Sequence, residues 1–422
     1  MRGQVRAPRA RAFSLGSIIS SRDVVNSQDF GMLRRSENSL LRMFSLVRQL
    51  HDHPEEYRLA LAIQEELIVR KSNVERRIRV LRQHRRALSF ELSKRHSDRG
   101  RANELKSAIA RIDDRIQEAR LLDSVYLDIG DAVAFTYIDP WDIKPLVFRE
   151  RAGFISGKKG ARLERKVLRE VYRVGGIAIL NDLTHSLRYA DLTVIHKPKT
   201  NFLLMELKSG RGGSRVRAHR QLKAAERVTN YLKTDKVQDL YAPGQEMLHY
   251  SVHSAPVYNA DAINRMLAKT TMDSLVREEV EAGLHYIAIE GDWSEDTDTI
   301  LGAYSAKHLV MLVNDFKGSK VGYRPFLLNL EDPNKMLQFY QGSIVIIVII
   351  DTESVKERLR QRGLDLHLTG NDEWPWEISS SPDENRSRFS WHFISRVGAE
   401  FLSLNWLVDE LSQPIDPMKL PS

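Results

Sequence analysis

Asp191 and Glu206 lie on two apolar segments that are joined by a short break containing a proline. This pattern predicts a β-hairpin. If residues 197–200 form the loop, His196 faces Asn201. The same register places Asp191 directly opposite Glu206, with their Cβ atoms roughly 5 Å apart. Two carboxylates at that distance repel each other unless a cation lies between them, and Mg²⁺ prefers oxygen ligands of this kind.

Lys208 follows Glu206 by two positions, so the two side chains share one face of the second strand. The hairpin is therefore predicted to gather two metal ligands and an ammonium group around one point. A second interpretation stays open, in which Asp191 and Glu206 are ordinary solvated residues and Lys208 is their ion-pair partner. His185 is a lone loop histidine, which we expect to be a surface or hydrogen-bonded residue.

The elements on either side of the hairpin carry further polar residues. An amphipathic helix over residues 161–173 contains Glu164 at the edge of its apolar face, and a short strand over residues 177–180 follows. After a glycine-rich loop comes a second helix, with Gln221 near its start. Basic residues surround the start of this helix: Arg211, Arg215, Arg217, Arg220 and Lys223. A helix N-terminus favours phosphate, so we expect these side chains to contact nucleic acid. The alternative is a surface helix that is merely basic.

This order of elements and residues resembles the PD-(D/E)xK nuclease superfamily, over roughly residues 153–236. The resemblance implies a restriction endonuclease-like αβββαβ core. It also implies that Asp191, Glu206 and the backbone carbonyl of Leu207 bind Mg²⁺ (or Mn²⁺), and that Lys208 orients or activates the attacking water.

The same resemblance assigns two supporting residues. Glu164 corresponds to the helical glutamate that supports a metal in many members, and Gln221 to the glutamine that some members carry in the following helix. Two positions depart from the family pattern. Ala190 stands where many members have proline before the aspartate, and Ala225 stands where an aromatic residue often follows the glutamine. The subfamily is therefore undetermined.

The composition limits the classes of chemistry. The chain has 422 residues and a formal net charge of +8, which favours an anionic partner, nucleic acid first. It contains no cysteine, so disulfides and zinc–thiolate sites are excluded and a cytoplasmic location is expected. The longest apolar run, residues 344–350, is too short to span a membrane. Four arginines among the first twelve residues suit either a mitochondrial presequence or a basic tail.

Heptad spacing of apolar residues predicts a coiled-coil hairpin with its tip near residues 99–101. The apolar positions are Leu67, Val74, Leu81 and Leu88 in the first arm and Leu105, Ile109, Ile112 and Ile116 in the second. Lys71 and Arg85 interrupt the seam. Residues 70–101 carry twelve Lys or Arg against three acids. This imbalance favours nucleic acid, although a solvated face, an acidic partner protein or a second copy of the chain would also suit it.

Four regions follow from these patterns: a flexible basic tail (1–35), a helical region (36–126), a nuclease-like α/β region (127–245) and a C-terminal α/β region (246–422) that could extend the nuclease sheet. Residues 127–138 are expected to be a strand or connector. The function predicted from the sequence is that of an Mg²⁺-dependent nuclease, with DNA favoured as substrate, endonuclease action, and restriction or phage defence as the setting. A non-catalytic nucleic-acid-binding or scaffolding protein and an RNase are the alternatives.

Overall fold

The computed structural model describes residues 31–94, 99–139, 154–158, 160–198, 201–207, two short strands and single positions between 226 and 248, and residues 252–291, 307–317, 326–371, 375–380 and 387–413. These parts divide into two compact units. The first is formed from the described residues of 28–251 and 317–337, and the second from those of 252–316 and 338–416. The described residues of the predicted helical region (36–126) and of the predicted nuclease-like region (127–245) thus belong to one unit.

The first unit begins with four helices: α1 (Gly31–Arg35), α2 (Glu37–Asp52), α3 (Tyr57–Ser93) and α4 (Arg99–Tyr137). Helices α3 and α4 pack along each other as the predicted antiparallel hairpin. Apolar seam residues from both helices are buried: Leu67, Val74, Ile78, Leu105, Ile112 and Ile116. Helix α3 ends at Ser93 and α4 begins at Arg99, so the predicted tip at residues 99–101 lies within the start of α4.

The two basic residues of the seam form ion pairs between the helices. Lys71, with 1% of its side chain exposed, places Nζ 2.7 Å from Asp123 of α4 and 3.2 Å from Glu75 of its own helix. Arg85 places Nε 2.5 Å from an oxygen of Asp113. A buried charge left without its partner is expensive, so the Lys71 pairs disfavour a shifted alignment of the two helices.

Residues 127–138 are not a strand, because α4 continues to Tyr137. Every residue from Val125 to Tyr137 is buried. A helix that packs on all sides is apolar around its whole circumference and loses the 3.6-residue pattern. Residues 31–35 also differ from the predicted flexible tail. They form α1, whose Met32 and Leu33 are buried.

An α/β part follows: α5 (Ala161–Arg173), β1 (Ile177–Leu180), a 3₁₀ turn (Asn181–Leu183), β2 (Leu192–Lys197) and β3 (Asn201–Met205). The strands form an antiparallel sheet in the order β1–β2–β3. The register of β2 and β3 is the predicted one from Leu192–Met205 to Ile195–Phe202. It then shifts, so that Lys197 and not His196 pairs with Asn201. A bulge at the loop, which spacing alone did not reveal, causes this difference.

The fold class is mixed α/β with antiparallel sheets. The order of α5 and the first three strands agrees with the start of the expected αβββαβ core. Strands β4 (Lys236–Gln238) and β5 (Glu246–Leu248) pair with each other, and in the described part of the chain they do not join the β1–β2–β3 sheet. No described helix is long and apolar enough to cross a membrane.

Gln64 of α3 attaches the helical hairpin to the edge of this sheet. Its side chain donates to the carbonyl of Ala178 at 2.9 Å and accepts from the N–H of Leu180 at 2.8 Å. All three groups are buried, so they need partners other than water. The amide of Gln64 thus satisfies an edge strand that would otherwise expose unpaired backbone groups.

The second unit has its own sheet in the order β6–β7–β9–β8. The remaining elements, in chain order, are α6 (Ala260–Lys269), β6 (Ser274–Glu281), β7 (Leu284–Glu290), β8 (His308–Leu312), α7 (Phe326–Asn329), α8 (Pro333–Gln341), β9 (Ile344–Asp351), α9 (Thr352–Arg360), β10 (Asp365–Leu368), β11 (Trp376–Ser379), β12 (Ser387–Phe389), α10 (Trp391–Ile394), α11 (Arg396–Ala399) and α12 (Leu404–Leu411). Of these, α7 belongs to the first unit, and the residues of α8 are divided between the two units. Among the described residues this sheet is separate from β1–β2–β3.

Asp131 of α4 holds the loop that leads to Asp191. One of its oxygens accepts the backbone N–H groups of His185 and Ser186, each at 3.0 Å, and the hydroxyl of Ser186 at 2.5 Å. Its other oxygen has no hydrogen-bond partner. Burial raises the pKa of Asp131 to about 7, with a smaller increase from Asp128, against the hydrogen bonds of Ser186. The carboxyl is thus protonated more readily in the folded chain than in the unfolded chain.

We therefore expect the free energy of unfolding to fall as the pH rises from about 4 to about 7. In that range the folded chain retains a proton that the unfolded chain has released, and one such group contributes up to about 1.4 kcal/mol per pH unit. Asp131→Asn, which keeps the acceptor oxygen, should remove this decline, whereas the exposed control Asp114→Asn should leave it. Urea denaturation between pH 4.5 and 8 measures both. Parallel curves for the two variants would contradict the assignment.

Candidate active site

Lys158 lies among three carboxylates that come from three different elements. Its Nζ atom is 2.8 Å from Asp182, 2.9 Å from Glu164 and 3.0 Å from Asp191. We call these four side chains the acidic centre. With all four groups ionised, three negative charges face one positive charge, an excess of two. Such an excess equals the charge of one divalent cation.

Burial makes this charge imbalance costly. Only 3% of the Glu164 side chain is exposed, and burial raises the pKa of Glu164, against the hydrogen bond from Lys158. Burial opposes the charged form of Lys158, but the charge of Asp182 and hydrogen bonds to all three carboxylates outweigh it and raise the pKa of the lysine. The charged form of Lys158 is therefore favoured, and it forms ion pairs with all three carboxylates.

The helical hairpin positions Lys158. Glu75 of α3, which is fully buried, accepts the backbone N–H groups of Ile155 and Ser156 at 3.1 and 2.7 Å. Arg79, one turn further along the helix, donates to the carbonyl of Ser156 at 2.8 Å. Residues 154–158 are thus bound along α3 by their backbone. This attachment leaves the Lys158 side chain directed into the acidic centre.

Asp191 is positioned by the end of the sheet and by its neighbours. Its carbonyl accepts the N–H of Asn181, which continues the pairing of β1 with β2. The Asn181 side chain donates to the carbonyl of Tyr189 at 2.6 Å and accepts the hydroxyl of Thr193 at 2.8 Å. Ala190 has a φ of 65°. Proline, whose ring fixes φ near −65°, could not adopt this backbone conformation, so the departure from the family pattern at position 190 has a physical reason.

Asp182 and Lys158 are members of the acidic centre that the sequence did not predict. Asp182 lies in the 3₁₀ turn directly after β1, and the pairing of Leu180 with Leu192 brings this turn next to Asp191. The β1–β2 register would have revealed Asp182. Lys158 carries no comparable sequence signal, because it comes from an irregular segment whose course α3 determines.

Glu206 and Leu207 follow the end of β3, and both are partly exposed. The regular pairing of β2 and β3 stops at Leu192–Met205, and the N–H of Asp191 then donates to the carbonyl of Met205 at 3.1 Å. The N–H of Leu207 donates to the second carboxylate oxygen of Asp191 at 2.9 Å. One oxygen of Asp191 thus faces the end of β3, and the other faces Lys158.

The structure brings Glu164 and Asp191 together and places Leu207 beside Asp191. Glu206 lies between Met205 and Leu207 after the last pair of the ladder, so the sharing of a cation by Asp191 and Glu206 stays a prediction. Seven predicted site residues lie outside the described residues: Lys208, Arg211, Arg215, Arg217, Arg220, Gln221 and Lys223. The basic helix and the catalytic lysine therefore stay predictions.

Among the described residues, no three His, Asp or Glu side chains form a group that could hold a metal ion. The acidic centre has carboxylates of the type that Mg²⁺ binds, but its middle is taken by Lys158. The oxygen donors and the excess negative charge are of the kind that suits a divalent cation, but in this arrangement they form no metal site, and entry of an ion would require the ammonium group of Lys158 to withdraw.

His185 does not form a serine-protease-like triad. Its Nε2 atom lies 3.3 Å both from the hydroxyl of Ser124 and from a carboxylate oxygen of Asp128. A triad needs the serine and the aspartate on opposite ring nitrogens. The expectation of a hydrogen-bonded loop histidine is confirmed, and His185 anchors the loop to α4.

Comparison of the chain with protein-family models, with curated proteins and with solved structures found no match. Its fold class is mixed α/β with antiparallel sheets.

Replacing Lys158 tests whether it balances the acidic centre. We expect Lys158→Met to lower the free energy of unfolding by about 2 kcal/mol at neutral pH, below the 3–5 kcal/mol typical of fully buried pairs, because the site is partly open to solvent. The loss should shrink as the pH falls and the carboxylates take up protons. Urea denaturation measures it, with the exposed Lys166→Met on α5 as control.

Adding Asp182→Asn to Lys158→Met removes one of the repelling charges, so the double variant should be more stable than Lys158→Met alone. Equal stability of Lys158→Met and Lys166→Met would show that the ammonium group has no such role.

Proposed function

We propose that the chain is a nuclease that uses Mg²⁺ or Mn²⁺ to hydrolyse phosphodiester bonds, with DNA favoured over RNA and endonuclease action favoured. The observation that carries the proposal is the acidic centre: three carboxylates from separate parts of the chain with an excess of two negative charges, next to Leu207, whose N–H donates to Asp191. The helix–strand–strand–strand order of α5, β1, β2 and β3 around the centre supports the resemblance to the PD-(D/E)xK superfamily.

Each residue of the proposed site has a distinct role. Asp191 is held in place by the Leu207 N–H and by Lys158, so its carboxylate is oriented before substrate arrives. Together with Glu206, the carbonyl of Leu207 and Glu164, it would hold the metal. A bound divalent ion lowers the pKa of its water and stabilises negative charge on the phosphate. Lys208 would add a positive charge near the nucleophile, and Gln221 would support it.

Lys158 has its own part in this arrangement. In the described state its ammonium group prevents mutual repulsion of the carboxylates. A bound metal would take over that task, and Lys158 would then be available to donate to a phosphate oxygen. The arginines after residue 210 and Lys223 would hold the backbone of the nucleic acid without reading its sequence.

The remaining features suit a role in restriction or phage defence in the cytoplasm, with the helical hairpin available to a partner protein or to a second copy of the chain. A non-catalytic nucleic-acid-binding or scaffolding protein is the second candidate, and the basic side chains of α3 favour it. It would bind nucleic acid in the presence of EDTA and cleave nothing.

We expect Asp191→Asn, Glu206→Gln and Lys208→Met each to reduce cleavage by about 100-fold or more. The first two would weaken the hold on the metal, and the third would remove a positive charge that stabilises the transition state. Plasmid, linear duplex DNA, single-stranded DNA and RNA should be incubated side by side with Mg²⁺ or Mn²⁺ and with EDTA. The exposed Asp261→Asn in the second unit is the matched control.

The choice of substrate separates a DNase from an RNase with the same metal site. Undiminished cleavage in all three site variants would refute the assignment of the site, and binding without cleavage in the wild type would favour the second candidate.

A further inference from the structure

A groove of about 370 Å³ lies between α3 and α4. The residues that line it are mostly basic. They are Arg82, Arg85, Arg86 and Arg120, the acid Asp113, and the uncharged Ile116 and Gln117. Four positive charges thus face one negative charge. A solvated helix face normally mixes the two signs, so a concave site with an excess of three positive charges is suited to an anion.

The geometry of the arginines favours a phosphate-rich ligand. Asp113 is engaged by Arg85 at 2.5 Å, so it does not neutralise the others. The guanidinium of Arg82 lies 5.5 Å from the ring centre of Phe154, a contact that orients the group and leaves its N–H edge available. Arg86 and Arg120 approach from opposite helices. A planar guanidinium binds two oxygens of a phosphate at once, which lysine cannot do.

The groove is connected to the acidic centre along α3. Residues 154–158 run beside this helix, held by Glu75, Arg79 and Arg82, and end at Lys158. From Glu75 to Arg86 the helix rises by about 16 Å. One strand of a DNA duplex advances about 3.4 Å per phosphate, so this span corresponds to about five phosphates.

We propose that the groove between α3 and α4 binds the phosphodiester backbone of a nucleic acid and directs it towards the acidic centre. The proposal depends on the proposed function for the direction of the strand, but not for the binding itself. Binding through phosphates predicts affinity without sequence preference and a steep dependence on salt.

The test uses the full chain in EDTA, so that no cleavage occurs, and a fluorescent 30-base-pair DNA duplex whose anisotropy reports binding. Arg86→Gln/Arg120→Gln removes one groove arginine from each helix. Arg77→Gln/Arg111→Gln removes one exposed arginine from each helix outside the groove, for the same net charge. We expect the groove variant to bind about tenfold or more weakly. Its plot of log affinity against log salt should be shallower by about two, one for each lost phosphate contact.

Two results would overturn the proposal. The first is an equal loss of affinity in both double variants, which would mean that only the overall charge matters. The second is binding of free phosphate but not of the duplex backbone in the groove. In that case calorimetry would show inorganic phosphate binding to the wild type and not to the groove variant, while the duplex would bind both proteins equally. Because all arms lack divalent metal, failure of the proposed nuclease activity would leave the binding result unchanged. Matching thermal denaturation curves for the two variants control for folding.

Discussion

The ammonium group of Lys158 is the constraint on which the candidate site depends. Three carboxylates cannot share a partly buried space without a cation, and in the described structure that cation belongs to the chain itself. The arrangement has a direct consequence for metal binding. A divalent ion would have to compete with an internal cation that is already at hydrogen-bond distance, so the proposed metal affinity would depend on how readily the lysine withdraws.

The helical hairpin holds the acidic centre through buried side chains that bind backbone groups of the α/β part. Gln64 binds the edge strand, Glu75 binds the segment that carries Lys158, and Asp131 binds the loop before Asp191. Each is a polar group in a buried position, and each satisfies backbone groups that water cannot reach. Hairpin and candidate site are therefore one structure, which explains why residues 36–245 do not separate into two units.

The sequence was most informative for the local pair of β2 and β3. Two apolar segments joined by a short loop at residues 197–200 predicted the register from Leu192–Met205 to Ile195–Phe202, and only the pair next to the loop is shifted by a bulge. It failed where tertiary packing decided the outcome. Residues 127–137, expected to be a strand or connector, are helical and buried all round.

The role of Trp376 also became clear only from its burial in the folded structure. An exposed tryptophan would suit the stacking of bases, but Trp376 is 1% exposed and belongs to the core of the second unit, as a packing role predicts. Lys158 was missed for a different reason. No local pattern distinguishes a lysine that enters an acidic centre from one that faces water, since the difference lies in the distant Glu75 that fixes its backbone.

Charge is distributed unevenly between two places beside α3. The groove carries an excess of three positive charges. The acidic centre, whose Lys158 follows the segment that Glu75 and Arg79 bind, carries an excess of two negative charges when all four of its groups are ionised. A polyanion in the groove would be repelled by the centre as long as only Lys158 balances its carboxylates. A divalent ion at the centre would remove that repulsion and leave Lys158 to meet the phosphate. This separation of charge would make productive placement of the backbone conditional on the metal, even though binding in the groove would need none.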